Sequence, residues 1–369
     1  MNKIGILVIA TEDNGGTFQY SLKMIESLIQ KKNHSFTIYT DITNNDYDNL
    51  GIPVIKNDYS KKAWPKYLFN YFIKISNKDL FKNESLIIAP TYSPTLLVTK
   101  TPFIFTLHDL QEHYYPNYFS WFQRKWRNFI NSRLLIKSIK VICESNYVKN
   151  DIANIFNCPV EKIEVLPSPP QNIQCSLTDT DVSNTLNKFN LTQDKYIIYP
   201  AQFWKHKNHS LLIAAFKIIN NKFPEVKLVL TGKKRFEYDN IIEIIKRLGL
   251  ADKVVFTEFV PDTELRILLK NANFLIMPTL FESISIPIYE AFQVGTPVCC
   301  SNVVSLPDQV GDAGVIFDPN SAQSIAECAL LLIDNKDLKN TLINRGYEKI
   351  NVLSDKWYME SLEKIINGL

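Results

Sequence analysis

The stretch Phe274-Leu275-Ile276-Met277-Pro278-Thr279-Leu280-Phe281-Glu282-Ser283-Ile284-Ser285-Ile286-Pro287-Ile288-Tyr289-Glu290-Ala291-Phe292 contains one complete unit of the pattern that organises the chain. A short apolar run reads as a buried strand, a polar turn follows, and a helix opens just after Pro287. Apolar strands alternating with helices imply parallel sheets covered on both faces, because a strand buried on both sides has no polar face to show.

The unit recurs throughout. In the first half the strands are Ile4–Ala10, Ser35–Tyr39, Leu86–Ala89, Phe103–Leu107, Lys140–Cys143 and Glu164–Leu166, with helices at Tyr20–Lys31 and Ser145–Phe156, the latter capped by Ser145. In the second half the strands are Tyr196–Pro200, Lys227–Thr231, Val254–Phe256, Phe274–Met277 and Pro297–Cys300. Helices there are expected at Ser210–Asn220, Asn240–Leu248, Asp262–Asn271, Ile288–Gln293, Ser321–Asp334 and Leu338–Leu353. The α/β class follows, as two doubly wound Rossmann-like domains, residues 1–168 and 195–353, facing across a cleft. A polar linker with a short helix occupies 169–194. Residues 354–369 end the chain as an amphipathic helix (Trp357–Leu369) that can pack on either half or cross back to the first.

At 369 residues the chain is long for one core, and its 46% hydrophobic and 21% charged content are those of a globular protein. A net charge of +3 is too mild to imply a nucleic-acid partner. Residues Met1–Ala10 are basic then apolar, but the run is short, lacks a cleavage site and leads into Thr11-Glu12-Asp13, so a first strand is expected rather than a leader. No run reaches the roughly 18 apolar residues that span a bilayer. The six cysteines show no CxxC spacing and suit a reducing, cytoplasmic compartment, and the five histidines form no metal-ligand pattern.

Four constellations carry chemistry. Glu282 and Glu290 stand eight positions apart around a helix start, where backbone N–H groups favour phosphate while carboxylates favour hydroxyls. That combination suits a nucleotide-sugar; a solvated turn glutamate and a dipole-stabilising helix glutamate are the structural alternative. The pair Gly15-Gly16 follows the first strand and permits close backbone approach to a ligand, as an ordinary turn also would. The loop Pro200–His209 gathers three cations and Asn208 at a strand end, where they would stabilise a diphosphate or simply form a basic surface. His108 ends another strand, with a structural role as its alternative. The Asp179-Thr180-Asp181 run mimics a metal-binding DxD but lies in the linker with no strand before it, so no metal site is expected.

Together these residues resemble the retaining group-1 (family-4) glycosyltransferases of the GT-B fold. The resemblance rests on Gly15-Gly16, the Lys207-Asn208 loop, the E-x7-E pair Glu282/Glu290, Ser305–Pro319 and Val141–Ser145, and it covers nearly the whole chain. It implies transfer of a hexose, as in O-antigen mannosyltransferases, from a nucleotide-diphosphate sugar to a glycan or lipid-linked acceptor in bacterial surface polysaccharide synthesis. It implies catalytic roles for His108, Lys207 and Glu282. Donor binding would fall to Gly15, Gly16, Gln202, Lys207, Gly232, Arg235, Ser283, Ser285, Ile286 and Glu290, with no cofactor and no metal. The chain departs from the family pattern at Gln202, which replaces an arginine; at Ser283 and Ser285, which replace glycines; and at Asp308, which replaces a glutamate. Lys205 or Arg235 would then supply the missing charge. Two other readings share the fold: a non-catalytic nucleotide-sugar-binding protein and a sugar-nucleotide epimerase. Residues 61–74 and 113–127 mix aromatic and basic side chains, which suits either peripheral contact with an anionic membrane or helices completing a core.

Overall fold

In the computed structural model the described residues are 2–11, 13, 15–30, 33–41, 45–57, 59, 65, 69, 72, 80–170 and 177–368. The chain divides into two compact units, residues 1–168 with 355–369, and residues 169–354.

The first unit is built on a parallel sheet of β1 (Asn2–Val8), β2 (His34–Thr40), β3 (Val54–Lys56), β4 (Leu86–Ala89), β5 (Phe103–Thr106), β6 (Lys140–Cys143) and β7 (Ile163–Val165), in the order β3-β2-β1-β4-β5-β6-β7. Alternate residues along each strand serve opposite faces. Ile4, Ile6, Val8, Ile38, Ile88 and Ile142 pack with the helix Gly16–Ile29, while Leu7, Tyr39, Ile87, Phe105 and Val141 pack on the other side with the helix Trp121–Lys137. The terminal helix Asp355–Asn367 belongs to this unit. It buries Tyr358 and Leu362 in the Ile4–Ile6 core, and Asp355 pairs with the nearly buried Lys23 at 2.6 Å.

The second unit carries β8 (Tyr196–Pro200), β9 (Lys227–Thr231), β10 (Val254–Glu258), β11 (Phe274–Met277), β12 (Val298–Ser301) and β13 (Gly314–Phe317), all parallel, in the order β10-β9-β8-β11-β12-β13. After β10 the chain returns past β8 to build outward on the other side. The junction of β8 and β11 is therefore the point where strand order reverses, and ligands of such sheets bind outside the carboxyl ends of the strands there.

The Asp179-Thr180-Asp181 run is the first turn of the helix Asp179–Lys188, and Thr178 and Asp181 form its capping box, so these carboxylates start a helix. Residues 113–127 divide between the two readings: in the helix Trp121–Lys137, Trp126 packs against the core of the first unit, while Trp121 and Phe122 are each 66% exposed. Most of 61–74, including Lys61, Lys62 and Lys66, lies outside the described residues; Phe69 and Phe72 are exposed.

Candidate active site

The loop leaving β8 and the loop leaving β11 are fastened together. Leu280 N–H and the Thr279 hydroxyl both donate to the His206 carbonyl, at 2.7 and 3.1 Å. Asn208, in the left-handed conformation at φ 59°, donates its side-chain N–H groups to the carbonyls of Pro278 (3.0 Å) and Pro319 (2.8 Å), which ties in the loop after β13. Tyr199 holds the Lys207 carbonyl at 2.9 Å. With both loops fixed, Lys207 and Glu282 form a direct ion pair at the β8/β11 junction, each largely enclosed.

The loop after β8 is less cationic than its sequence suggests. His206 is pushed down to about 3 by burial and by the charge of Lys207, and His209, stacked 4.5 Å from Phe203, falls to about 3 for the same reasons. Of the three expected cations, the histidine is thus neutral, and the charge rests on Lys205 and Lys207.

Gly232 follows β9 at φ +148°, where a Cβ would stand 2.5 Å from the Ala201 carbonyl oxygen; only glycine lets the β8 and β9 loops approach this closely. Beside it, Gln202 Oε1 accepts from Arg235 Nε at 3.0 Å and from Trp204 Nε1 at 3.1 Å.

Glu290 does not join Glu282 in one cluster of contacts. It sits on the helix Ile286–Val294 and lines a small cavity with Asp262, Arg266 and Gln293. Burial raises its carboxyl to about 7, Asp262 adds to the rise, and Arg266 opposes it. At the helix start Ser285 is enclosed, so its hydroxyl is sealed from solvent; Ser283 and Ile286 are half-buried. Gln309, which sequence reasoning did not single out, clamps Ser285 through both main-chain groups, accepting from its N–H at 2.9 Å and donating to its carbonyl at 2.7 Å. A pocket of about 460 Å³ opens beside Asn208, lined by Ser210, Arg247 and Asn320; Lys207, Glu282 and Glu290 are not among its lining residues.

On the first unit, Gly15 caps the helix Gly16–Ile29 at φ 56°, and its carbonyl accepts from Phe18 N–H at 2.9 Å. His108 faces two acceptors, the Glu144 carboxylate at Nδ1 (2.8 Å) and the Pro90 carbonyl at Nε2 (3.0 Å). Two acceptors require two N–H donors, which selects the imidazolium. Burial opposes that charge, but the hydrogen bond and charge of Glu144, with Asp109, raise the ring above its ordinary range overall. Among the described residues no group of histidine, cysteine, aspartate and glutamate side chains is placed to hold a metal ion.

Two parallel doubly wound units, with an ion pair at the second unit's switch point and a half-buried glutamate on the following helix, are the architecture of the GT-B class. Residues 182–349 match the family described as Glycosyl transferases group 1, and residues 14–169 match Glycosyltransferase Family 4, so the chain carries a glycosyltransferase domain of each description. It is 26% identical over 250 residues to O-antigen chain mannosyltransferase B of Escherichia coli, covering 65% of this chain and 64% of that one. It is 25% identical over 324 residues to O-antigen chain mannosyltransferase RfbU of Salmonella typhimurium, covering 84% of each. In fold it resembles Anabaena HepE in complex with UDP and glucose, with a TM-score of 0.81 and 17% identity over the full length of both chains.

Proposed function

We propose that this glycosyltransferase moves a hexose, mannose being the first candidate, from a nucleotide-diphosphate sugar to a hydroxyl of a lipid-linked glycan, with retention of anomeric configuration. The Lys207–Glu282 ion pair at the β8/β11 junction carries the reading. On this reading Lys207 is the cation that meets the charge of the leaving diphosphate, and Glu282 is the carboxylate that accepts from sugar hydroxyls. The relatives that are O-antigen mannosyltransferases support the choice of sugar and acceptor class.

The bond between the sugar C1 and the leaving phosphate oxygen breaks, and the acceptor oxygen bonds to C1 on the same face. The acceptor proton passes to the departing phosphate oxygen, giving glycoside and nucleoside diphosphate. No protein carboxylate acts as nucleophile; positioning and charge stabilisation supply the acceleration. Glu290 accepts from the ribose hydroxyls, and Gly16 offers its amide to phosphate. His108, as an imidazolium, exchanges its bond to Pro90 for one to a sugar hydroxyl. Proton NMR of the first-formed product tests retention: an α-linked product from an α-linked donor is expected, and a β-linked product contradicts the reading.

Lysine and arginine side chains supply the charge in this scheme, so activity is expected to persist in excess EDTA. Loss of turnover on chelation, restored by Mn²⁺ or Mg²⁺, would contradict metal independence.

We also propose that the enzyme works at the cytoplasmic face of a membrane, in peripheral contact through the helix Trp121–Lys137. Trp121 and Phe122 lie exposed beside Arg124 and Lys125, a composition that suits headgroup depth on an anionic leaflet. No described helix is long and apolar enough to cross a membrane. In flotation with phosphatidylglycerol vesicles at low salt the protein is expected to rise with the lipid and to be released by salt. Protein that stays at the bottom of the gradient would contradict the contact.

A further inference from the structure

Three of the six cysteines come together in the second unit. Cys299 and Cys300 lie in β12, and Cys328 lies in the helix Ala322–Ile333, which packs on β11 and β13 with β12 between them. Adjacent residues of a strand face opposite sides, so only one of the β12 thiols can meet this helix. Gly314, opposite Val298 in the ladder, turns toward the helix Leu306–Val310: a Cβ added there would stand 3.1 Å from the Val310 Cβ. Val315 and its ladder partner Cys299 therefore face the other side of the sheet, toward the helix Ala322–Ile333. There the Cys299 and Cys328 thiols are hydrogen-bonded to each other.

The two thiols differ in exposure. Cys328 is partly open to solvent, whereas Cys299 is fully enclosed, as are Cys143 and Cys300. Burial pushes the thiols of Cys143 and Cys300 up to about 12 and holds that of Cys299 well above its ordinary range, so these stay protonated and away from oxidants. The hydrogen bond from Cys299 moves Cys328 the other way, below its ordinary range. As a thiol, Cys328 donates to the Ile316 carbonyl at 3.5 Å; as a thiolate, it accepts from Cys299 instead.

We propose that Cys328 is a peroxide-reactive thiol and that Cys299 is its internal resolving partner, the two closing to a disulfide that joins the helix Ala322–Ile333 to β12. The Cys328 sulfur attacks one oxygen of hydrogen peroxide and the O–O bond breaks. One water leaves, and the sulfur, oxidised by two electrons, is a sulfenic acid. The Cys299 sulfur then attacks the Cys328 sulfur, the S–O bond breaks, and the departing hydroxide takes the Cys299 proton as a second water. Two thiols and one peroxide thus give one disulfide and two waters. Cys299 meets no oxidant from solvent, but it already touches the sulfur that does, which makes the second step an intramolecular one. The disulfide is a reversible end point that spares Cys328 the irreversible sulfinic and sulfonic acids. In a reducing compartment such a bond forms transiently, on exposure to oxidant. This chemistry does not depend on the sugar-transfer reading.

Peroxide treatment of the full-length protein, followed by alkylation and mass mapping, tests the pair. Cleavage after Glu290 and Glu327 puts Cys299 and Cys328 on separate fragments, 291–327 and one that begins at Cys328. These fragments are expected to stay joined after peroxide, with the loss of two free thiols, and to separate on reduction with dithiothreitol. The link should persist in Cys300→Ser and vanish in Cys299→Ala, where Cys328 should instead be trapped by dimedone as a sulfenic acid. Cys175, which lies outside the described residues, is mapped in the same digest as a control. Fragments that separate without reductant, a link that survives Cys299→Ala, or a link between two copies of the chain would overturn the assignment. The wild-type map decides the matter even where a substitution in this core prevents folding.

Discussion

Lys207→Ala is expected to lower kcat by about 100- to 1,000-fold, the range seen when one preorganised stabiliser of developing charge is lost. Donor affinity should change much less, because the charge Lys207 opposes grows as the sugar–phosphate bond breaks. The ion pair sharpens the expectation. Without Lys207, the largely enclosed carboxylate of Glu282 loses its counter-charge and stands beside a departing dianion. Lys207→Arg should recover little, since a planar fork does not reproduce the point contact with Glu282. Single-turnover rates compared with donor affinities separate the two effects; a rise in KM alone would make Lys207 a binding residue.

Glu290→Ala is expected to weaken donor use by about 1.5–3 kcal/mol, the value of a hydrogen bond to a charged group. The same residue gives donor binding a pH dependence. Burial keeps the Glu290 proton in the folded protein up to about 7, against an ordinary value of 4.5. Its contribution to stability is therefore complete below about 4.5 and lost as pH rises through about 7, because the folded state then holds a carboxylate partly withdrawn from water beside Asp262. Ribose hydroxyls donate to the ionised form, so donor affinity should rise as pH climbs through about 7 and then level off, with proton release on binding. Titrations across this range should show the rise in wild type and none in Glu290→Gln. Equal profiles for the two would place Glu290 outside the donor site.

Much of this architecture was legible because a buried parallel strand is a run of apolar residues that little else explains. Leu86–Ala89, Lys140–Cys143, Tyr196–Pro200, Lys227–Thr231 and Phe274–Met277 occupy the residues expected. The edge strands β3 (Val54–Lys56) and β13 (Gly314–Phe317) were not read as strands: each is short and has exposed positions, as edge strands do. Helix starts were misplaced where the cap was unexpected, as at His209, whose N-cap is a left-handed Asn208.

In the site, residue types were readable and partnerships were not. Lys207 and Glu282 are 75 positions apart, and their pairing depends on carbonyls of His206, Pro278 and Pro319, which no side-chain pattern reports. The neutral state of His206 depends on burial, and the Gln309 clamp on Ser285 spans 24 positions. Arg235 stood out only as a cation near a gap in the pattern; its tie to Gln202 needed coordinates.

The measurement that bears most directly on the account is release of nucleoside diphosphate by the purified enzyme from a panel of GDP- and UDP-sugars, with and without a lipid-linked glycan acceptor, followed by analysis of the sugar products. Release from one donor, strongly stimulated by acceptor and accompanied by a new glycosidic bond, is the predicted result. Binding of a donor without turnover under any acceptor, or conversion of the donor sugar without an acceptor, would contradict it and favour, respectively, a non-catalytic binding protein or an epimerase.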